Sequence, residues 1–259
     1  MKKLPIALQV HSIREEAKKD FKKSMKSVKD MGYDGVELAG LYGYTPEYIK
    51  EHTDSIGLEI ISAHVPYEEI IEDMKGTIEK YAFLGCEYIA VPYLEEDLRP
   101  GHDNFKLVLE NIGKMGSLCK ERNITLLYHN HDFEFVKMES GIYALDYIYN
   151  EIPKERLETE LDTCWVKVAG ESPVEYIRKY SGRCPLIHLK DFVGSKSENM
   201  DKKFEFRPLG QGVQDIPSIL KVSIESGAKW VVVEQDKHTQ NKPMEDARIS
   251  IEYLKKLGW

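Results

Sequence analysis

Short runs rich in β-branched and aliphatic residues alternate with amphipathic helical stretches along the whole chain. The strand-like runs occupy 6–11, 35–38, 59–64, 88–93, 124–129, 157–162, 186–190 and 230–234. Helical patterns lie between and after them, at 21–31, 46–56, 70–84, 104–122, 143–149, 174–180, 216–226 and 244–257. Eight units in 259 residues give about 32 residues each, the size of one strand, one helix and two short loops. Strict βα alternation predicts a parallel sheet covered by helices, and eight repeats predict closure into a (β/α)8 TIM barrel, one domain over 1–259. A doubly wound open sheet is the competitor. It would usually carry a glycine-rich phosphate turn after its first strand, and the stretch Gln9 to Arg14 has no glycine.

Several strands are announced by one device, a helix end followed by glycine: Met31-Gly32, Ile56-Gly57, Leu84-Gly85 and Ser226-Gly227. Glycine takes the left-handed conformation that stops a helix and releases the chain. The longest connection, 191–215, carries Gly194, Gly210 and Gly212 and is expected to act as a lid.

Composition narrows the function. At 42% hydrophobic and 31% charged, the chain has material for a large core in a soluble protein. Its net charge of −8 opposes the phosphate neutralisation on which nucleic-acid binding rests. No apolar run reaches membrane-spanning length, and the stretch from Leu4 to Val10 reads as a first strand rather than a targeting segment. Cys86, Cys119, Cys164 and Cys184 form no C-x-x-C pair, so a reducing, cytoplasmic setting is expected. Neither nucleic acid nor membrane is an expected partner. The tyrosines around Leu41-Tyr42-Gly43-Tyr44 suit either closure over a ligand or a homo-oligomer contact.

In a barrel of this kind the C-terminal strand ends build the active site. Here those ends carry Glu37, His64, His129, Asp162, His188, Lys190 and Glu234. Converging around one axis, such Asp, His and Glu side chains supply the mixed N/O ligands suited to a divalent ion such as Zn, Mn or Co. The run Trp230-Val231-Val232-Val233-Glu234 is the sharpest signal. Three consecutive valines demand a strand buried on both faces, so the carboxylate at its end must be paired or metal-bound. His188 and Lys190, two apart, share a strand face.

Together these residues resemble the xylose isomerase-like TIM-barrel superfamily, which includes sugar phosphate isomerases and epimerases, dehydratases and the AP endonuclease family 2. The resemblance is carried in order by Ser62-Ala63-His64, Tyr128-His129-Asn130-His131-Asp132-Phe133-Glu134-Phe135, Glu160-Leu161-Asp162-Thr163, His188-Leu189-Lys190-Asp191, Gly210-Gln211-Gly212 and Val233-Glu234-Gln235-Asp236. It implies one divalent metal (Mn, Zn, Co or Mg) on Asp162, His188 and Glu234. The fourth ligand falls to Glu134, with His129 or His131 as the alternatives. Trp165 stands where epimerases commonly have His, and an indole cannot coordinate a metal. Its implied role is an apolar wall against a sugar ring, beside His64, His131 and Glu37 as substrate-binding residues.

The activity implied is metal-dependent sugar isomerisation or epimerisation by proton abstraction next to the carbonyl of a keto-sugar. Glu234 and His129 serve as acid and base, with Lys190 stabilising the enolate. An inosose-dehydratase-like or keto-sugar lyase reaction on a sugar or cyclitol is the alternative. A non-catalytic sugar-binding barrel is the reading from another class. Endonuclease IV chemistry is disfavoured, since it calls for more His and carboxylate ligands, one of them where Trp165 stands.

Overall fold

The computed structural model describes residues 3–194 and 204–259. Within them, strands β1 (Ile6–Gln9), β2 (Gly35–Ala39), β3 (Glu59–His64), β4 (Tyr88–Val91), β5 (Thr125–His129), β6 (Glu158–Asp162) and β7 (Leu186–Leu189) form a parallel sheet. A short antiparallel pair, β8 (Asp191–Val193) and β9 (Glu205–Arg207), follows, and β10 (Trp230–Val233) closes the barrel between β7 and β1. The expected (β/α)8 TIM barrel is what the chain forms.

Helix boundaries follow local chemistry. Asp20 accepts from Lys23 N at 3.0 Å to start the helix Phe21–Met31, and Gly32 ends it at φ 99°. Thr45 and Gly57, at φ 62°, bracket the helix Pro46–Ile56 in the same way. The single helix expected over 70–84 is instead two, Tyr67–Glu72 and Met74–Leu84. Asp73 leaves the helical region between them, at φ −147° and ψ 81°, and accepts from Gly76 N at 3.0 Å, so a side-chain cap outcompetes helix continuation.

Strand alternation sorts the interior. Outward residues such as Leu8, Val36, Leu38, Leu161, Ile187 and Val233 pack under the helices in the main core. Inward residues near the strand starts, including Ala7, Leu127, Leu186, Trp230 and Val232, make an apolar plug. Two or four residues further along the same faces the inward side chains turn polar: Gln9, Glu37, His129, Glu160, Asp162, His188, Lys190 and Glu234, all buried. The apolar plug below and the helices outside exclude water from these groups, which sets their chemistry.

The expected lid over 191–215 is seen only at its arms, because 195–203 lie outside the described residues. The arms are latched by Asp191. Its carboxylate accepts from the backbone N–H groups of Phe192, Gly210, Gly212 and Gln214 at 2.9–3.1 Å. A Cβ at position 212 would lie 2.1 Å from Asp191 Oδ1, so only glycine lets the loop approach that carboxylate.

Candidate metal centre and substrate cavity

Four donor groups meet at the barrel mouth: His129, Asp162, His188 and Glu234, with one ligand atom from each within 4.8 Å of the others. Asp162 divides its labour. Oδ1 caps the helix Thr163–Val168 by accepting from Cys164 N at 2.8 Å and Trp165 N at 3.1 Å. Oδ2 is buried and accepts no hydrogen bond, although Lys190 Nζ stands 3.0 Å away and His129 Nε2 3.6 Å away. His188 Nδ1 lies 2.9 Å from Glu234 Oε2. Two nitrogens and two carboxylates around a buried oxygen that lacks a hydrogen bond suit a divalent cation.

The electrostatics point the same way. Glu37, Glu160, Asp162, Glu234 and Asp236 face three cationic groups, Lys190, His64 and His188. Carboxyl groups thus outnumber cationic ones, and burial pushes Glu37 above the ordinary carboxylate range. Burial opposes charge on His64 and His188, yet the carboxylates of Glu37 and Glu160 raise both above the ordinary histidine range. Burial also resists ionisation of Glu160 and Glu234, which His188 with His64, and Lys190 with His188, hold well below theirs. Asp236 is pushed up to about 6, first by burial and against the pull of Lys190. His129 goes the other way, pushed down to about 4 by burial, and so stays neutral with a lone pair to offer.

Several residues differ from expectation. Glu134 does not join the quartet. It accepts from Tyr128 Oη at 2.7 Å and from His131 N at 2.8 Å, and the short helical turn Phe133–Phe135 holds it behind β5. His129 occupies the fourth corner instead, because it ends β5 and points inward. That leaves His129 without a nitrogen for substrate, since Nδ1 contacts Glu160 at 2.9 Å and Nε2 faces the quartet. Glu37 does not line the cavity either. It is sealed below, taking a hydrogen bond from Gln9 at 2.8 Å and contacting His188 at 2.7 Å. Glu160 lies deeper, beside three histidines.

Above the quartet lies a cavity of about 430 Å³. His11, His64, Tyr93, His131, Lys190, Glu234 and Asp236 are among its lining residues. Beside it Trp165 packs against His131, with ring centres 5.3 Å apart, and against Phe206 at 5.8 Å. The Lys190 ammonium sits 5.4 Å from the indole centre. This is an apolar wall next to a charged floor, the mix of apolar lining and a few placed polar groups that small-molecule sites show. His131 presents a buried Nδ1 without a hydrogen-bond partner and, by burial, is held well below the ordinary histidine range. A larger groove of about 840 Å³ on the outer wall shares none of these residues.

Asp236 went unassigned in the sequence, although it follows Glu234 at strand spacing. The capping role of Asp162 had a readable signal, an acidic residue at a strand end just before a helix.

A barrel with this strand-end site defines a class. The chain belongs to the xylose isomerase-like TIM-barrel family, whose profile matches residues 25–257. The family is one of enzymes. Among relatives, the chain is 27% identical to an inosose dehydratase of Clostridium perfringens, over 91% of this chain and 89% of that one. It superposes on a sugar phosphate isomerase/epimerase of Parabacteroides distasonis with a TM-score of 0.83 at 26% identity, covering 98% of each chain. The IOLI protein, solved with a bound zinc atom, shares the fold at a TM-score of 0.77 and 15% identity, again over 98% of each. No helix among the described residues is long and apolar enough to cross a membrane.

Proposed function

We propose that this protein is a divalent-metal-dependent enzyme that removes a proton from the carbon next to the carbonyl of a keto-sugar or cyclitol. The observation that carries this reading is the buried quartet of His129, Asp162, His188 and Glu234 at the floor of a sugar-sized cavity. A metal held there would polarise the substrate carbonyl as a Lewis acid.

The chain's own residues supply the rest. Glu234 lines the cavity and takes the proton from the carbon. Lys190, beside it, offers positive charge to the oxygen that gains electron density. His131 stands on the cavity wall as the second proton-handling group, replacing His129, whose ring is fully engaged. Trp165 and His64 hold the ring in place. Return of the proton to the other face or to the neighbouring carbon makes the reaction an epimerisation or isomerisation.

A second reading, dehydration, is favoured by the curated relatives, inosose dehydratases covering most of this chain. In that case the enolate expels the hydroxyl on the next carbon, which leaves as water with the proton that Glu234 took, instead of being reprotonated. One experiment separates them: Mn2+-loaded protein incubated in D2O with ketoses, keto-glycosides and inososes. Deuterium on carbon with water retained marks isomerase or epimerase chemistry, and an enone product marks a dehydratase. Measurable binding with no exchange in any substrate would defeat both and leave a sugar-binding barrel.

A further inference from the structure

Beneath the mouth quartet lies a second ring of side chains that the proposed chemistry does not use. Glu37 and Glu160 are sealed from water, and each leaves Oε1 without a hydrogen-bond partner while its Oε2 is crowded. Glu160 Oε2 lies 2.6 Å from His64 Nε2 and 2.9 Å from His129 Nδ1. Glu37 Oε2 lies 2.7 Å from His188 Nε2 and accepts from Gln9 Nε2 at 2.8 Å. Gln9 is in turn fixed, because its Oε1 accepts from His11 N at 2.9 Å.

A carboxylate oxygen has only lone pairs to offer, so a ring nitrogen this close must present N–H. A neutral imidazole has one N–H. A proton held on Nδ1 of His129 leaves its Nε2 bare; His188, flanked by Glu37 at Nε2 and by Glu234 at Nδ1, holds both protons here, and a cation would take the Nδ1 position from its proton while Glu37 keeps the Nε2–H. His129 Nε2 and His188 Nδ1 face Asp162 Oδ2, at 3.6 Å, and Glu234 Oε2, at 2.9 Å.

We infer that Glu160 and Glu37 are positioning residues that pin His129 and His188 in opposite tautomers, aiming one lone pair from each ring at a single cation in the mouth quartet. The inference rests on the reading that this quartet holds a metal. His64 is the counter-ion of the arrangement, with its Nε2 within 3.3 Å of both carboxylates. His64, His129, Glu160 and His188 also bring one ligand atom each within 4.8 Å of one another, so the deep ring is the competing cation position; an ion held there would take the nitrogens that face Glu160 and Glu37 and leave the protons on the opposite pair.

Two measurements on the 259-residue chain test this. Long-range 15N–1H NMR of Zn2+-loaded, histidine-labelled protein should show His129 protonated at Nδ1 and His188 at Nε2. Co2+ titration followed by visible absorption should give one equivalent. Glu160→Leu and Glu37→Leu should each weaken Co2+ binding about 10- to 100-fold, with Glu160→Gln, whose amide oxygen still accepts, losing much less. Identical tautomers in the two rings, the reversed pair of tautomers, parent-like Co2+ affinity in the leucine variants, or two equivalents of Co2+ would overturn the inference. If a leucine variant does not fold, the tautomers of the parent decide the matter. A parent that binds neither ion fails the metal reading itself, an outcome distinct from metal binding that ignores Glu160 and Glu37.

Discussion

The Lys190 ammonium stands 3.0 Å from Asp162 Oδ2, with both side chains closed to water. The same nitrogen is 3.0 Å from Glu234 Oε2 and from Asp236 Oδ1. Deleting one partner of a buried ion pair strands the remaining charge and costs about 3–5 kcal/mol. Lys190→Met should therefore destabilise the chelator-treated protein by that order in urea unfolding, and Mn2+ should stabilise the variant more than the parent. A loss below about 1 kcal/mol would show that the three carboxylates are relieved some other way.

Asp162→Ala removes both the oxygen facing the quartet and the cap of the following helix. Elemental analysis after dialysis against Mn2+ or Zn2+ should find the variant without metal, while Trp165→Phe keeps the parent's content. If Asp162→Ala retains metal, the quartet is wrongly assigned.

Burial pushes Glu134 up to about 7. Between pH 4.5 and 7 the folded protein keeps a proton that the unfolded chain has released. The contribution is thus complete below the unfolded value and is lost as pH rises through about 7. Glu134→Gln stays neutral throughout. Comparing unfolding free energies at pH 4.5 and 8, the parent should lose up to about 3 kcal/mol relative to the variant. Parallel profiles would mean that Glu134 ionises normally.

Asp191→Ala should release the arms of the β8–β9 pair. The amides of Gly210, Gly212 and Gln214 lose their acceptor, so hydrogen exchange there should rise by at least about tenfold, while the barrel strands stay protected. Unchanged exchange would assign the latch to other contacts.

The barrel was legible because its strands are apolar runs punctuated by glycine, and their order follows from strict alternation. The inward pair His188 and Lys190 was also legible, since strand period dictates it. What strand spacing could not reveal is the depth of each inward residue. Glu37 read as a substrate-binding residue, and only the stagger of neighbouring strands, with Gln9 level with Glu37 and His129 level with Glu160, shows the lower tier. Glu134 misled because its route off β5 is set by the turn Phe133–Phe135 and the Tyr128 hydroxyl, tertiary features with no periodic signature. The helix Thr163–Val168 was missed because, at six residues, it is too short to show a period.

The aromatic wall and the ionic floor have different anchors. His129 and Asp162 end hydrogen-bonded strands of the barrel, His188 lies one residue before the end of its strand and Glu234 follows directly on one, whereas Trp165 sits on a short helix and Phe206 on a two-stranded arm outside it. Reworking Trp165 and Phe206 would reshape the guest that fits while leaving the barrel's ladders unaltered. A protein engineer could treat the wall as an exchangeable fitting and the barrel as fixed plant, and look for altered selectivity without rebuilding the reaction.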